Sequence, residues 1–186
     1  MNEYTDTVKW LKYLLYAGIA AMVNTVLNIF LPAIASWLSP ILTLAMLYMM
    51  ARLSASNGRY MRCILFTGVA LVINVLNIQQ VALAGSICSL VGQYQEFTAH
   101  GELIRELDKK LSDKWGGLFW LQFAVSVIST LLGSVFAAVL VASGSVDEAT
   151  ASAMILVAVT LVTLLLRLLY LAYLRKTVKA LEAVVE

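Results

Sequence analysis

Charged residues are scarce in this 186-residue chain, which also contains only two cysteines, two prolines and one histidine. Charged residues make up 13% of the chain and apolar residues 61%, whereas soluble domains average about 25% and about 45–50%. Too few polar side chains remain to cover a globule in water. This balance excludes a soluble enzyme, a disordered segment and a nucleic-acid-binding protein, because each of these needs more charge.

The apolar residues form runs long enough to cross a bilayer, since a transmembrane helix needs about 20 of them. One run of 35 residues, 63–97, is too long for a single span, and we expect it to turn at the polar residues Asn77, Gln79 and Gln80. The sequence therefore predicts an all-α integral membrane protein, with one transmembrane domain of six helices arranged as three hairpins. The predicted spans are 11–31, 33–51, 62–78, 81–98, 116–142 and 149–173.

The basic residues are sorted onto one side of these spans. Twelve of the 13 lysines and arginines lie before span one or in its first turn, between spans two and three or at the first residue of span three, between spans four and five, or after span six. The three opposite connections contain none. Basic residues stay on the cytoplasmic side during insertion, so we predict a multi-pass protein of the cell membrane whose N and C termini are both cytoplasmic.

The connection between spans four and five, residues 100–114, is the longest charged segment. Its apolar side chains share one helical face and its charged side chains another, the apolar set being Leu103, Ile104, Leu107 and Leu111. This pattern predicts one amphipathic cytoplasmic helix that lies on the membrane surface or against a partner. The lone histidine, His100, is interpreted as a solvated loop residue, because it stands beside Gly101.

Four asparagines lie inside the predicted spans, Asn24 and Asn28 on span one and Asn74 and Asn77 on span three. Spacings of four and three residues place each pair on one face of its helix. An amide in hydrocarbon needs hydrogen-bond partners, so these faces are expected to point toward protein or a water-filled cavity. Two interpretations stay open: hydrogen bonds that only hold helices together, and a polar ligand-binding pocket near the outer leaflet.

Arg167 is the one basic residue that lies more than a turn from either end of its span. It precedes Arg175 by eight residues, about 12 Å along a helix, so its side chain can snorkel to the cytoplasmic headgroups. Alternatively, it pairs with a carboxylate or binds an anionic ligand, and Glu96 is the acid best placed by depth. The ligand-binding residues predicted from the sequence are thus Asn24, Asn28, Asn74, Asn77, Arg167 and Glu96.

Small residues recur every four positions on two spans, which lets neighbouring helices approach closely. These rows are Ala84, Cys88 and Gly92 on span four, and Ser129, Gly133 and Ala137 on span five. The helix that packs on each row belongs to this chain, to a partner membrane subunit or to another copy of the chain.

Motifs for catalysis and metal binding are missing from the sequence. Cys63 and Cys88 are too far apart for a CxxC pair, and one histidine is too few for a typical metal cluster. The sequence also has no phosphate-binding loop. We therefore predict no enzyme activity, no metal and no cofactor, and any energised transport needs a separate ATPase.

In size, six predicted spans, cytoplasmic termini and lack of an ATPase motif, the chain resembles the substrate-binding S subunits of energy-coupling-factor vitamin importers. Ala17 and Ala21 supply the Ala-xxx-Ala spacing with which such subunits dock on their transmembrane partner. The connection between spans one and two is shorter than the ligand-covering loop often found there. The resemblance implies a subunit that binds a small molecule and relies on partner proteins for energy.

Three functions are compatible with these features. The predicted one is a transporter or substrate-binding membrane subunit, which binds an unknown small molecule without an ATPase of its own. The alternative is an accessory or regulatory subunit that assembles with partner membrane proteins. The third is an intramembrane enzyme, for which only His100 with nearby serines or cysteines could supply the reacting groups.

Overall fold

The computed structural model describes residues 2–76, 81–144 and 147–185, and these residues form six α-helices and no strand. This confirms the all-α prediction and the division of the long apolar run into two helices. Asn77 and the predicted turn around Gln79 lie outside the described residues. The helices are α1 (Asn2–Phe30), α2 (Pro32–Leu53), α3 (Arg59–Val75), α4 (Ala82–Ile104), α5 (Lys109–Ala142) and α6 (Glu148–Val185).

Two aspartates mark the beginnings of the long helices α5 and α6. Asp108 accepts a hydrogen bond from the Leu111 backbone nitrogen at 2.9 Å, and Asp147 accepts one from the Thr150 nitrogen at 2.7 Å. Hydrogen bonds from Thr150 hold the pKa of Asp147 below its usual value. The stability that this second cap contributes is therefore present at neutral pH and is lost as the pH falls through that lowered pKa.

The six helices run alternately up and down, each packs on its neighbours in sequence, and α1 also packs on α6. The beginnings of α1, α3 and α5 meet the ends of α2, α4 and α6 in one apolar cluster, which we call the aromatic core. Its largest fully buried side chains are Trp115 and Tyr60. At the opposite end of the bundle, Phe30 and Trp37 are 73% and 78% exposed. We call this second end the turn end, because α1 and α3 finish there.

Large apolar side chains cover the outside of the bundle. On α2, Trp37, Ile41 and Leu44 are exposed on the outside, whereas Ser39 and Thr43 line a cavity between the helices. This distribution of apolar side chains outside and polar side chains inside is the reverse of that in a soluble protein and is typical of helices surrounded by lipid. Four helices, α1, α2, α5 and α6, are long and apolar enough to cross a membrane. The arrangement of six spans as three membrane hairpins, the crossing of a membrane by all six helices and the side of the termini stay predictions.

The separate amphipathic helix predicted for residues 100–114 is wrong. α4 continues through Ile104, a short turn follows at 105–108, and α5 begins directly after it. Ile104 and Leu111 are buried in the aromatic core instead of lying on a membrane surface. The two helices approach closely at Gly101, where an added Cβ would lie 3.2 Å from a backbone oxygen of α5. The segment is therefore a tight corner between two bundle helices.

Gly92, in the predicted small-residue row of α4, marks a close approach to α3. A Cβ added there would overlap the Thr67 hydroxyl and lie 3.3 Å from the Thr67 backbone nitrogen. Gly92→Ala is therefore expected to lower the free energy of unfolding by about 1–3 kcal/mol, because α3 must shift away. Thermal unfolding of the purified protein in detergent measures this loss.

Gly68→Ala is the matched control, because Gly68 is also a helical glycine but has no atom within 4 Å of an added Cβ. Alanine is favoured over glycine by about 1 kcal/mol inside a helix, so this variant is expected to be neutral or more stable. Equal destabilisation by the two substitutions would show that helix approach at Gly92 is not the cause.

Candidate functional site

A polar cavity lies inside the bundle, between the aromatic core and the turn end. It consists of two adjoining lobes. The core lobe, of about 380 Å³, reaches Glu96 and Tyr170, and the turn lobe, of about 750 Å³, reaches Asn28 and Asn74. Residues that line both lobes are Asn24, Thr25, Ser39, Thr43, Gln93 and Arg167.

Helical periodicity brings these polar side chains together. Residues three and four positions apart share one face of a helix, and polar residues recur at this spacing on the inward faces of three helices. The cavity walls therefore combine hydroxyl, amide and guanidinium groups from distant parts of the chain. These residues are Asn24 and Asn28 on α1, Ser36, Ser39 and Thr43 on α2, and Thr163, Arg167 and Tyr170 on α6.

Asn24 is the most buried polar side chain of the cavity wall that both lobes share, with 9% of its surface exposed. Its Nδ2 donates a hydrogen bond to the Ala35 carbonyl oxygen at 3.2 Å, which joins α1 to α2. This bond fixes the orientation of the amide, since only the NH₂ group can donate. The other amide atom, Oδ1, is buried without a hydrogen-bond partner in the described parts of the chain. Such an unsatisfied acceptor costs about 1–3 kcal/mol, so the position is suited to a donor from outside the protein.

Arg167 lines both lobes. An ion pair with Glu96 was one of the alternatives left open by the sequence, and no such pair is present among the described residues. The salt bridges within 2–76, 81–144 and 147–185 are Lys12–Glu182 and Arg59–Glu102, and His100 Nε2 lies 3.7 Å from Glu96 Oε1. The Glu96 carboxylate accepts a hydrogen bond from the Tyr170 hydroxyl at 2.5 Å. Arg167 and Glu96 therefore line the same lobe without pairing.

His100 is fully buried, so its interpretation as a solvated loop residue is wrong. Its Nδ1 lies 2.7 Å from the Tyr60 hydroxyl and its Nε2 lies 3.3 Å from the Tyr170 hydroxyl. Because Tyr170 donates its proton to Glu96, its oxygen can accept from Nε2–H, and Tyr60 then donates to Nδ1. These four residues, which we call the Glu96–His100 cluster, form a continuous hydrogen-bonded chain from the aromatic core to the cavity.

One signal in the sequence could have identified the two members of this cluster that lie on α4. The fourth span was predicted to end at residue 98, two residues before His100. Gln93, Glu96 and His100 are three and four residues apart, which places them on one face of a longer helix. Continuing the helix by one more turn would have predicted a polar face that points into the bundle, and α4 indeed extends to Ile104.

Five of the six predicted ligand-binding residues border the cavity. The turn lobe is lined by Asn24, Asn28, Asn74 and Arg167, and the core lobe by Asn24, Glu96 and Arg167. Asn77 lies outside the described residues. Sequence reasoning missed Tyr170, although its position three residues after Arg167 on the same helical face points to the cavity.

Over the described ranges, no group of three or more histidine, cysteine, aspartate or glutamate side chains is arranged to hold a metal ion. No protein-family model matches the chain, and no match was found among curated proteins or solved structures. The likeness to vitamin-importer S subunits therefore depends on architecture alone, and function must be inferred from the cavity.

Proposed function

We propose that this protein is a transporter or a substrate-binding subunit of the cell membrane, which takes a small polar molecule into the cavity without an ATPase of its own. The observation that supports this is the reversed polarity of the bundle: hydroxyl, amide and guanidinium groups face the cavity, and large apolar side chains face outward. Sites for small molecules occupy about 300–1,000 Å³, and each lobe falls within this range.

The positions of the two lobes give the cavity a direction. The aromatic core fills the end of the bundle where α1 begins, whereas the turn lobe reaches Asn28 and Asn74 near the ends of α1 and α3. With the termini on the cytoplasmic side, as the basic residues predict, the turn lobe lies toward the side away from the cytoplasm. A site that lies toward the outside, with packed side chains between it and the cytoplasm, is suited to capturing a solute for uptake.

Filling the cavity with Thr43→Phe is expected to abolish solute binding. Leu44→Phe is the matched control, because Thr43 lines both lobes while its neighbour Leu44 is exposed on the outside. The measurement is thermal unfolding in detergent with glucose, gluconate or lysine as neutral, anionic and cationic probes. A ligand at 100 times its Kd stabilises a protein by about 2.7 kcal/mol, so a bound probe raises the unfolding temperature of the wild type.

The wild type and the Leu44→Phe variant should respond to the same probe, and Thr43→Phe should not. An equal rise in unfolding temperature for both variants would place the binding site elsewhere. No response of the wild type to any of the three probes would contradict a cavity for polar solutes.

An accessory or regulatory subunit is the second candidate function, supported by an apolar groove between α5 and α6. The groove has a volume of about 660 Å³, and two small residues, Ser129 and Ala158, lie among the apolar side chains that line it. Small residues let a partner helix approach closely in a membrane, where no hydrophobic force drives helices together. Purification from native membranes in mild detergent tests this function, because a partner-free monomer would contradict it.

A further inference from the structure

The Arg167 guanidinium brings a positive charge to the cavity without forming an ion pair in the described ranges. Glu96, the acid on the same lobe, accepts its hydrogen bond from Tyr170 instead. The Arg167 side chain is exposed, and a charge at this depth in a membrane is costly unless water or a ligand in the cavity solvates it. Since Arg167 borders both lobes, a bound anion would reach it from either one.

Asn24 provides a second and independent indication of a ligand. Its side chain is nine-tenths buried, it lines both lobes, and its Oδ1 is an acceptor without a partner in the parts of the chain that the structure describes. The bond from Nδ2 to Ala35 prevents the amide from turning its donor toward the cavity. The ligand atom that meets Asn24 must therefore be a donor, an N–H or an O–H group.

We propose, building on the proposed solute cavity, that the solute is a small molecule with an oxyanion group and a nearby N–H or O–H donor. Arg167 binds the carboxylate or phosphate through charge-assisted hydrogen bonds, and Asn24 accepts the hydrogen bond from the donor. Both residues line both lobes, so one small molecule can contact them together. A neutral sugar lacks the first group, and a simple fatty acid lacks the second.

Three six-carbon probes separate these two requirements. Gluconate has a carboxylate and hydroxyl donors, glucose has only the donors, and hexanoate has only the carboxylate. Isothermal titration of the full chain in lipid nanodiscs measures each Kd, and glucose 6-phosphate distinguishes a phosphate from a carboxylate. We expect gluconate or glucose 6-phosphate to bind about tenfold more tightly than glucose or hexanoate, as a charge-assisted hydrogen bond implies.

Two variants test which residue binds the oxyanion of the ligand and which binds its hydrogen-bond donor. Arg167→Gln is expected to lower the affinity for the tighter-binding anion to the affinity for glucose, while the Kd of glucose stays unchanged. Arg175→Gln is its matched control, because it removes an exposed charge from the same helix outside the cavity lining. Asn24→Leu is expected to lower the affinity for gluconate to the affinity for hexanoate, while the Kd of hexanoate stays unchanged. Retained binding of one probe shows that each variant is folded.

Each unfavourable outcome has a separate meaning. Glucose binding as tightly as both anions, or an Arg167→Gln variant with unchanged affinities, would overturn the oxyanion while leaving the polar-solute cavity intact. Gluconate binding no more tightly than hexanoate would overturn the role of Asn24. Failure of every probe to bind the wild type would contradict both this inference and the proposed function.

Discussion

Replacing Trp115 with alanine is expected to lower the free energy of unfolding by about 3–5 kcal/mol, the range for removing a buried tryptophan. Trp115 is fully buried, and its ring contacts those of Phe97, His100 and Tyr170. Its Nε1 also donates a hydrogen bond at 3.1 Å to the hydroxyl of Thr177, which is itself fully buried. The substitution thus leaves a void and a buried hydroxyl without its partner. Thermal unfolding in detergent measures the total loss of stability from these two effects.

Trp120→Ala is the matched control on the same helix. Trp120 is 62% exposed and borders the outside of the bundle, so its removal leaves no void in the core. Its effect on the free energy of unfolding is expected to stay within about 0.5 kcal/mol. Similar losses from the two substitutions would mean that the aromatic core does not hold the bundle together.

Replacing His100 with leucine is expected to cost about 3 kcal/mol, because the imidazole is the partner of the fully buried Tyr60 hydroxyl. The variant leaves that hydroxyl buried and unsatisfied. Tyr60→Phe in the same chain removes the orphaned hydroxyl, and replacing both partners by apolar groups of similar shape is nearly neutral. The double variant is therefore expected to be more stable than His100→Leu alone.

A double-mutant cycle of the wild type, both single variants and the double variant measures this coupling. The interaction energy from thermal unfolding is expected to reach about 1 kcal/mol or more in the direction of rescue. Additive losses would show that the hydrogen bond between Tyr60 and His100 contributes nothing, and that the histidine acts only by filling space.

Local sequence patterns were sufficient to predict an all-helical chain and five of the residues that border the cavity. α1 ends at Phe30 and α2 begins at Pro32, close to the boundary between the predicted spans 11–31 and 33–51. Asn24 and Arg167 stand out because polar side chains are costly among apolar ones, and both border the cavity. Composition and helical periodicity are patterns of a few neighbouring residues, and these predictions needed no information about contacts between distant parts of the chain.

Features that depend on distant contacts were predicted poorly. His100 meets Tyr60 and Tyr170, which lie 40 and 70 residues away in sequence, and no local pattern reports such a meeting. The same holds for Ile104 and Leu111, whose apolar face fits a membrane surface and a protein core equally well. Their burial follows from the packing of α4 on α5, which only the complete bundle determines.

Whether Arg167 pairs with Glu96 could not be decided from the sequence for a related reason. Position along a span gives the depth of a side chain but not the direction in which it points around the helix axis. Tyr170 lies one turn beyond Arg167 on α6, and its hydroxyl donates a hydrogen bond to the Glu96 carboxylate. Arg167 and Glu96 line the same lobe, as their similar depth suggests. Which side chains they contact depends on the direction of each side chain, which the sequence does not give.

The Glu96–His100 cluster gives the protein a built-in spectroscopic reporter. His100 is the only histidine in the chain, so isotope labelling of histidine yields one imidazole spin system without any engineered probe. Tyr170 is at once a wall of the core lobe and a neighbour of that imidazole. A solute that disturbs the hydroxyl of Tyr170 therefore alters the electronic surroundings of a single ring, and nuclear magnetic resonance can read the state of the cavity from it.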